Sequence, residues 1–190
     1  MEELSPNQSI FQLLFSFTHR NPFFDWVVVF CAQYLPYILI AGFFVFAVSK
    51  KDHRARVFVL IEGVLAVVLS RGIIVESIRF FYEHPRPFAA LGLSPLIQVP
   101  GDSFPSGHAS IFFALATILY FFDKRAGSWF FAFALINGVA RIIAGVHWPF
   151  DIASGIVVGI ISGSLVYKFG KKSWEGLAKV GETQLIQSNK

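Results

Sequence analysis

Three arginines, two histidines and one aspartate recur at the edges of apolar stretches in this chain, and their types suit one kind of chemistry. Arg79 and Arg86 lie in "ESIRFFYEHPRPF", His108 closes "FPSGH", and Arg141, His147 and Asp151 share "GVARIIAGVHWPFD". A planar guanidinium matches phosphate oxygens bidentately, so three of them converging make a pocket for a multiply charged anion. "FPSGH" fits the same purpose. Pro105 suits the first turn of a helix whose free backbone N–H groups and positive dipole end bind anions. Gly107 lets the backbone approach the ligand, and Ser106 adds a hydroxyl donor. His108 then falls in the first turn, beside the same anion. In "HWPFD" the histidine precedes the acid by four residues, and Pro149 between them suits the first helical position. Asp151, about one turn on, reaches back to one ring nitrogen of His147, fixing the tautomer and leaving the other nitrogen as a nucleophile. One histidine to attack and another to protonate the leaving oxygen is a phosphoryl-transfer kit. Arginines and a helix dipole hold the transition-state charge, so it requires neither metal nor cofactor.

Singly, each residue has an ordinary use. Arg79 would snorkel to an interface, Arg86 would cap a turn, and His108 would be a satisfied polar residue. "HWP" would belong to an aromatic belt, Ser106 would be an N-terminal helix residue, and Asp151 a helix-start acid favoured by the dipole. Their shared level in the membrane decides for the site.

That level follows from the elements that carry them. The 190 residues are 55% hydrophobic, with 23 Phe and 15 Gly, a composition of integral membrane proteins. A spanning helix needs about 20 mostly apolar residues. Five segments meet that length: Phe23 to Val48, Val57 to Phe80, Phe104 to Phe122, Trp129 to Val146 and Phe150 to Phe169. Ile10 to Phe17 is too short to span and reads as an interfacial amphipathic helix. The expected fold is an all-α membrane bundle of about five spans in a single domain, residues 1–172, followed by a polar cytoplasmic tail, residues 173–190.

The net charge of +4 is less informative than its distribution. Alternate loops receive Lys50, Lys51, Arg54, Arg56, Lys124, Arg125, Lys168, Lys171 and Lys172, whereas those on the other side carry little beyond Arg20 and Arg86. The positive-inside rule makes the first side cytoplasmic. The N-terminus and the site then face outward from a plasma membrane and the C-terminus faces inward. Basic loops so placed are topology signals, and no nucleic-acid partner is expected. The lone Cys31 forms no intrachain disulfide and serves packing. Pro36 kinks the first span, with neighbouring groups satisfying the carbonyl it frees. Gly155, Gly159 and Gly163 allow close helix approach, chiefly within the chain and alternatively in a homodimer. Glu62 and Arg71, charged within the second span, are expected to pair structurally with other helices. They are also the only hint of the competing reading, an anion transporter, which needs polar residues continuing across the bilayer.

Arg79 through "RFFYEHPRP", Pro105-Ser106-Gly107-His108, and Arg141 with His147 and Asp151 resemble the three signature motifs of the type 2 phosphatidic acid phosphatase superfamily. The resemblance implies that His147 attacks phosphorus to form a phosphohistidine, that Asp151 orients it, and that His108 protonates the leaving group. It also implies that Arg79, Arg86, Ser106, Gly107 and Arg141 hold the phosphate. Vanadate-dependent haloperoxidases share these motifs but are soluble, unlike a chain of five spans. Arg79 stands where the family usually has lysine and Ala140 where it usually has serine, neither of them a bond-making position. "HPRPF", "DSFPS" and "GVHWPFD" look most like the small bacterial undecaprenyl-diphosphate phosphatases of this superfamily, which often carry aspartate where Gly107 stands. The implied substrate is a lipid phosphate in the bilayer, foremost undecaprenyl diphosphate, with phosphatidylglycerophosphate or phosphatidic acid as alternatives.

Overall fold

A computed structural model describes residues 5–188, with side chains up to Lys171. The described residues are helical or irregular, with no strand among them. The helix α1 (Pro6–Phe15) opens with a reciprocal cap. Ser5 Oγ accepts from the Gln8 amide at 3.3 Å, and Gln8 Oε1 accepts from the Ser5 amide at 3.1 Å. It occupies the segment expected at the interface, and its Phe11 is fully buried against the Trp148 ring, 5.0 Å between centroids. Asn7 in turn accepts from the Phe150 amide. The short N-terminal helix is thus built into the start of the last helix.

The first span, Pro22–Val48, comprises α2 (Pro22–Val29), a π-helical turn (Phe30–Tyr34) and α3 (Leu35–Val48). The second, His53–Phe81, repeats the pattern: α4 (His53–Val67), a longer π-helical segment (Val68–Val75) and α5 (Glu76–Phe81). A short α6 (Pro87–Leu91) lies in the following loop. Then come α7 (Gly107–Phe122), α8 (Lys124–Ile143) and α9 (Pro149–Ser188).

Four of the expected spans have membrane length and composition. The third differs. It begins at Gly107, not Phe104, because Ser106 caps it, and Pro105 precedes that cap instead of lying in the first turn. At 16 residues it is about 24 Å long, and Phe112, Ala114, Ala116 and Ile118 are buried on several of its faces. It is the central post of the bundle, enclosed by the others up to Leu119, with Tyr120 and Phe121 exposed at its end. Large apolar side chains such as Phe80, Phe81 and Phe169 are exposed on the outer helices, as a lipid-facing surface requires.

The glycine stripe is used within the chain. A Cβ on Gly155 would come within 2.6 Å of the Ser106 carbonyl oxygen, one on Gly159 within 2.6 Å of that of Ser110, and one on Gly163 within 2.8 Å of that of Ala114. Only glycine lets α9 lie this close along α7. The polar tail expected at residues 173–190 lies outside the described side chains, although α9 runs on to Ser188.

The expected pairing with other helices does not form for Arg71, while Glu62 packs against α9. Glu62 is 2% exposed, lies against Gly170, and its Oε2 has no hydrogen-bond partner. Arg71 instead pairs with Glu76 of its own span, five residues on, because the π-helical segment carries both to one side.

Candidate active site

The turn between α8 and α9 delivers His147 and Asp151. Pro149 takes the first position of α9 as its fixed φ favours, which places Asp151 at the third. From there Asp151 Oδ2 accepts from the Trp148 amide at 2.7 Å, capping its own helix. The same oxygen lies 3.4 Å from His147 Nδ1. It also accepts the hydroxyl hydrogen of Ser103, whose Oγ lies 3.3 Å from Nδ1. Ser103, His147 and Asp151 are each at most 1% exposed.

These contacts fix the tautomer. The Ser103 hydrogen is directed at the carboxylate, so toward Nδ1 both Ser103 and Asp151 present only lone pairs. The group beside Nε2 is Arg86 Nη1, at 3.4 Å, which can only donate. Nδ1 therefore carries the hydrogen and Nε2 keeps its lone pair. Burial holds the His147 pKa down at about 4, with Arg141 and Arg86 adding to the effect and the Asp151 hydrogen bond opposing it. The ring is neutral at physiological pH.

Arg86 proves to be a clamp. Nε donates to the Gly101 carbonyl at 2.9 Å, Nη1 to that of Val146 at 2.8 Å, and Nη2 to those of Pro100 and Asp102 at 3.3 and 3.0 Å. With the His147 contact, these engage the guanidinium's five N–H donors. Burial, with the neighbouring Arg79 charge, lowers its pKa to about 10, still protonated. Arg86 pins the loop before α7 to the His147 turn and meets His147 Nε2 through Nη1 only.

The other arginines keep free donors. Arg79 Nη2 donates to the Pro105 carbonyl at 3.0 Å, just before α7 begins, and its buried Nε has no partner. Arg141, 3% exposed, donates from Nη1 to the Ala32 carbonyl at 3.1 Å, and its Nε is likewise unpartnered. Ala32 is the carbonyl that Pro36, lacking an N–H, leaves without its usual donor four residues on. Asn137, one turn before Arg141, donates to the carbonyls of Cys31 at 2.7 Å and Ala32 at 3.3 Å. The first span, at the carbonyl four residues before Pro36, thus holds Arg141.

Ser106 caps α7, its Oγ accepting from the Ala109 amide at 3.4 Å, and its own amide donates to the Asp151 carbonyl at 3.0 Å. The N-terminus of α7 is thereby joined to the His147 turn. His108, in the first turn, lines a cavity of about 430 Å³ together with Arg141, Ala32, Gln33, Tyr37 and Phe112. The predicted residues are therefore brought to one place. Sequence reasoning missed Ser103 and Asn137. Both are small polar residues whose partners lie far along the chain, 48 residues in the case of Ser103 and Asp151, and local spacing gives no signal for either.

Residues 60–175 match the model of the PAP2 superfamily. Undecaprenyl-diphosphatase BcrC of Bacillus subtilis is 31% identical over 168 residues, covering 86% of this chain and 83% of that protein. The bacitracin transport permease protein BcrC of Bacillus licheniformis is 34% identical over 145 residues, covering 74% and 69%. Among solved structures, Aquifex aeolicus LpxE superposes with a TM-score of 0.70 at 28% identity, covering 88% of this chain and 98% of that one. The PAP2 type phosphatidylglycerolphosphate phosphatase of Bacillus subtilis shares the fold, with a TM-score of 0.60 at 20% identity, covering 87% and 85%. The chain belongs to the PAP2 superfamily, as a multi-pass membrane lipid phosphatase.

Proposed function

We propose that this phosphatase removes the terminal phosphate of a lipid diphosphate, converting undecaprenyl diphosphate to undecaprenyl phosphate, on the extracytoplasmic face of the plasma membrane. The observation that carries the chemistry is the His147 ring, with Nδ1 facing two acceptors and Nε2 facing a donor inside a basic pocket. The similarity to undecaprenyl-diphosphatase BcrC over most of both chains supports the substrate. The cavity lined by His108 and Arg141 is also lined by Ile40, Ile111 and Phe112, apolar side chains suited to a lipid chain.

Nε2 of His147 attacks the terminal phosphorus while the bond to the bridging oxygen breaks, and its electron pair leaves with the lipid phosphate. His108 gives that oxygen a proton. Arg79, Arg141 and the first amides of α7 hold the three equatorial oxygens as charge develops on them. Water then attacks the phosphohistidine, losing a proton to His108 and restoring both histidines as inorganic phosphate departs. Asp151 and Ser103 keep Nδ1–H in place throughout.

The test is purified protein in detergent with a panel of prenyl diphosphates, phosphatidylglycerophosphate and phosphatidic acid, released phosphate being measured. The highest kcat/KM on prenyl diphosphate is expected. A preference for phosphatidylglycerophosphate or phosphatidic acid would replace the substrate assignment and leave the chemistry standing.

A further inference from the structure

Arg71 is a basic side chain at the site that the reading above leaves without a task. It belongs to the π-helical segment of the second span, about two helical turns before Arg79, yet it crosses the N-terminus of α7. A Cβ on Gly107 would sit 2.6 Å from Arg71 Nε and 2.8 Å from its Cδ. Glycine at 107 is what admits the guanidinium there. Nη1 is paired with Glu76, and among the described residues no other protein group accepts from Arg71. The edge formed by Nε and Nη2 is open, the side chain is 33% exposed, and His108 lies within range of its charge.

We propose that Arg71 binds the phosphate that leaves with the lipid, so that this enzyme favours diphosphates over monophosphates. The proposal rests on the reaction assigned above and adds the residue that selects its substrate. For in-line attack by His147, the bridging oxygen must face His108, and the departing phosphate must lie beyond it. Arg71 lies against Gly107, the residue directly before His108, and within range of the His108 charge. The terminal phosphate is already served by Arg79, Arg141 and the α7 amides, while the donors of Arg86 are engaged by carbonyls. Glu76 holds one edge of the guanidinium and leaves the other edge to meet two phosphate oxygens in the bidentate manner. A monophosphate ester would place an uncharged alkyl chain there, giving this arginine no anion to bind.

The test compares kcat/KM for a prenyl diphosphate and the prenyl monophosphate of the same chain length, in wild type, Arg71→Gln and Arg71→Lys. Arg71→Gln is expected to reduce the diphosphate-to-monophosphate ratio about tenfold or more, the size of one charge-assisted contact, with Arg71→Lys recovering part of it. Should Arg71→Gln not yield folded protein, Gly107→Ala reads the same ratio, because its methyl group takes the space of Arg71 Nε. Losses equal on both substrates, or no loss on either, overturn the assignment. A wild-type enzyme without turnover on diphosphates overturns the underlying reaction and this proposal with it, which separates the two failures.

Discussion

Ser103 donates its hydroxyl hydrogen to the same Asp151 oxygen that lies 3.4 Å from His147 Nδ1, and its own oxygen is 3.3 Å from that nitrogen. The His147 ring therefore faces two acceptors, one of which, the serine, is tied to the other. At more than 3.2 Å neither contact alone is a strong hydrogen bond, so both contribute to holding the ring.

Ser103→Ala is expected to lower kcat about tenfold or more on every substrate, with KM little changed, as a buried hydrogen bond is worth about 1–3 kcal/mol when one partner is removed. Ser103→Thr, which keeps the hydroxyl, should recover much of the loss. Steady-state kinetics on the three proteins checks this. A rise in KM with kcat intact would mean that Ser103 shapes substrate binding instead of the ring.

Arg141 and Asn137 donate to the same Ala32 carbonyl, four residues before Pro36. Asn137 is 1% exposed, so Asn137→Ala leaves the Cys31 carbonyl without that donor and should lower unfolding stability by about 1–3 kcal/mol. It should also reduce kcat/KM several-fold through displacement of Arg141. Thermal unfolding in detergent and kinetics on the same preparation measure both effects.

Much of this was legible in the sequence. The number of apolar segments and Pro149 at the first helical position follow from local spacing, because membrane length and helix period are local quantities, and the grouping of Arg79, His108, Arg141, His147 and Asp151 follows from the level that the loop charges give them. The roles of Arg86 and Arg71 were not legible. Arg86 is engaged by carbonyls of a loop 14 to 16 residues on and of a turn 60 residues on, and by His147 in that turn. Arg71 reaches the site only because a π-helical segment turns it toward a glycine on another helix. Pro36 could be read as a kink, but only packing shows that its freed carbonyl meets Arg141. The same holds for α7, whose hydropathy is that of a span while its length and burial are those of a core helix.

The depressed pKa of His147 makes stability depend on pH. The unfolded chain takes up a proton near pH 6.5, whereas the native ring resists until about pH 4. Stability from this residue is full above pH 6.5 and declines as pH falls toward 4. At pH 5 the loss should reach about 2 kcal/mol, taking 1.36 kcal/mol per pH unit. His147→Gln should abolish that part of the dependence. Unfolding midpoints of the two proteins between pH 7.5 and 5 provide the comparison.

The proposed outward orientation of the site rests on loop charges and is open to labelling. In a Cys31→Ala background, a cysteine replacing exposed Ser94, near the site, should react with a membrane-impermeant thiol reagent in intact cells, and one replacing exposed Ser49 should not. The opposite labelling pattern would invert the topology.

The claim on which everything else depends is that His147 Nε2 attacks phosphorus. Rapid quenching of turnover on a lipid diphosphate labelled at its terminal phosphorus, followed by peptide mapping at alkaline pH, tests it directly. The account predicts a label on His147 that survives base and is lost in acid, and no turnover by His147→Asn. A label on a different residue, or turnover retained by His147→Asn, would contradict it.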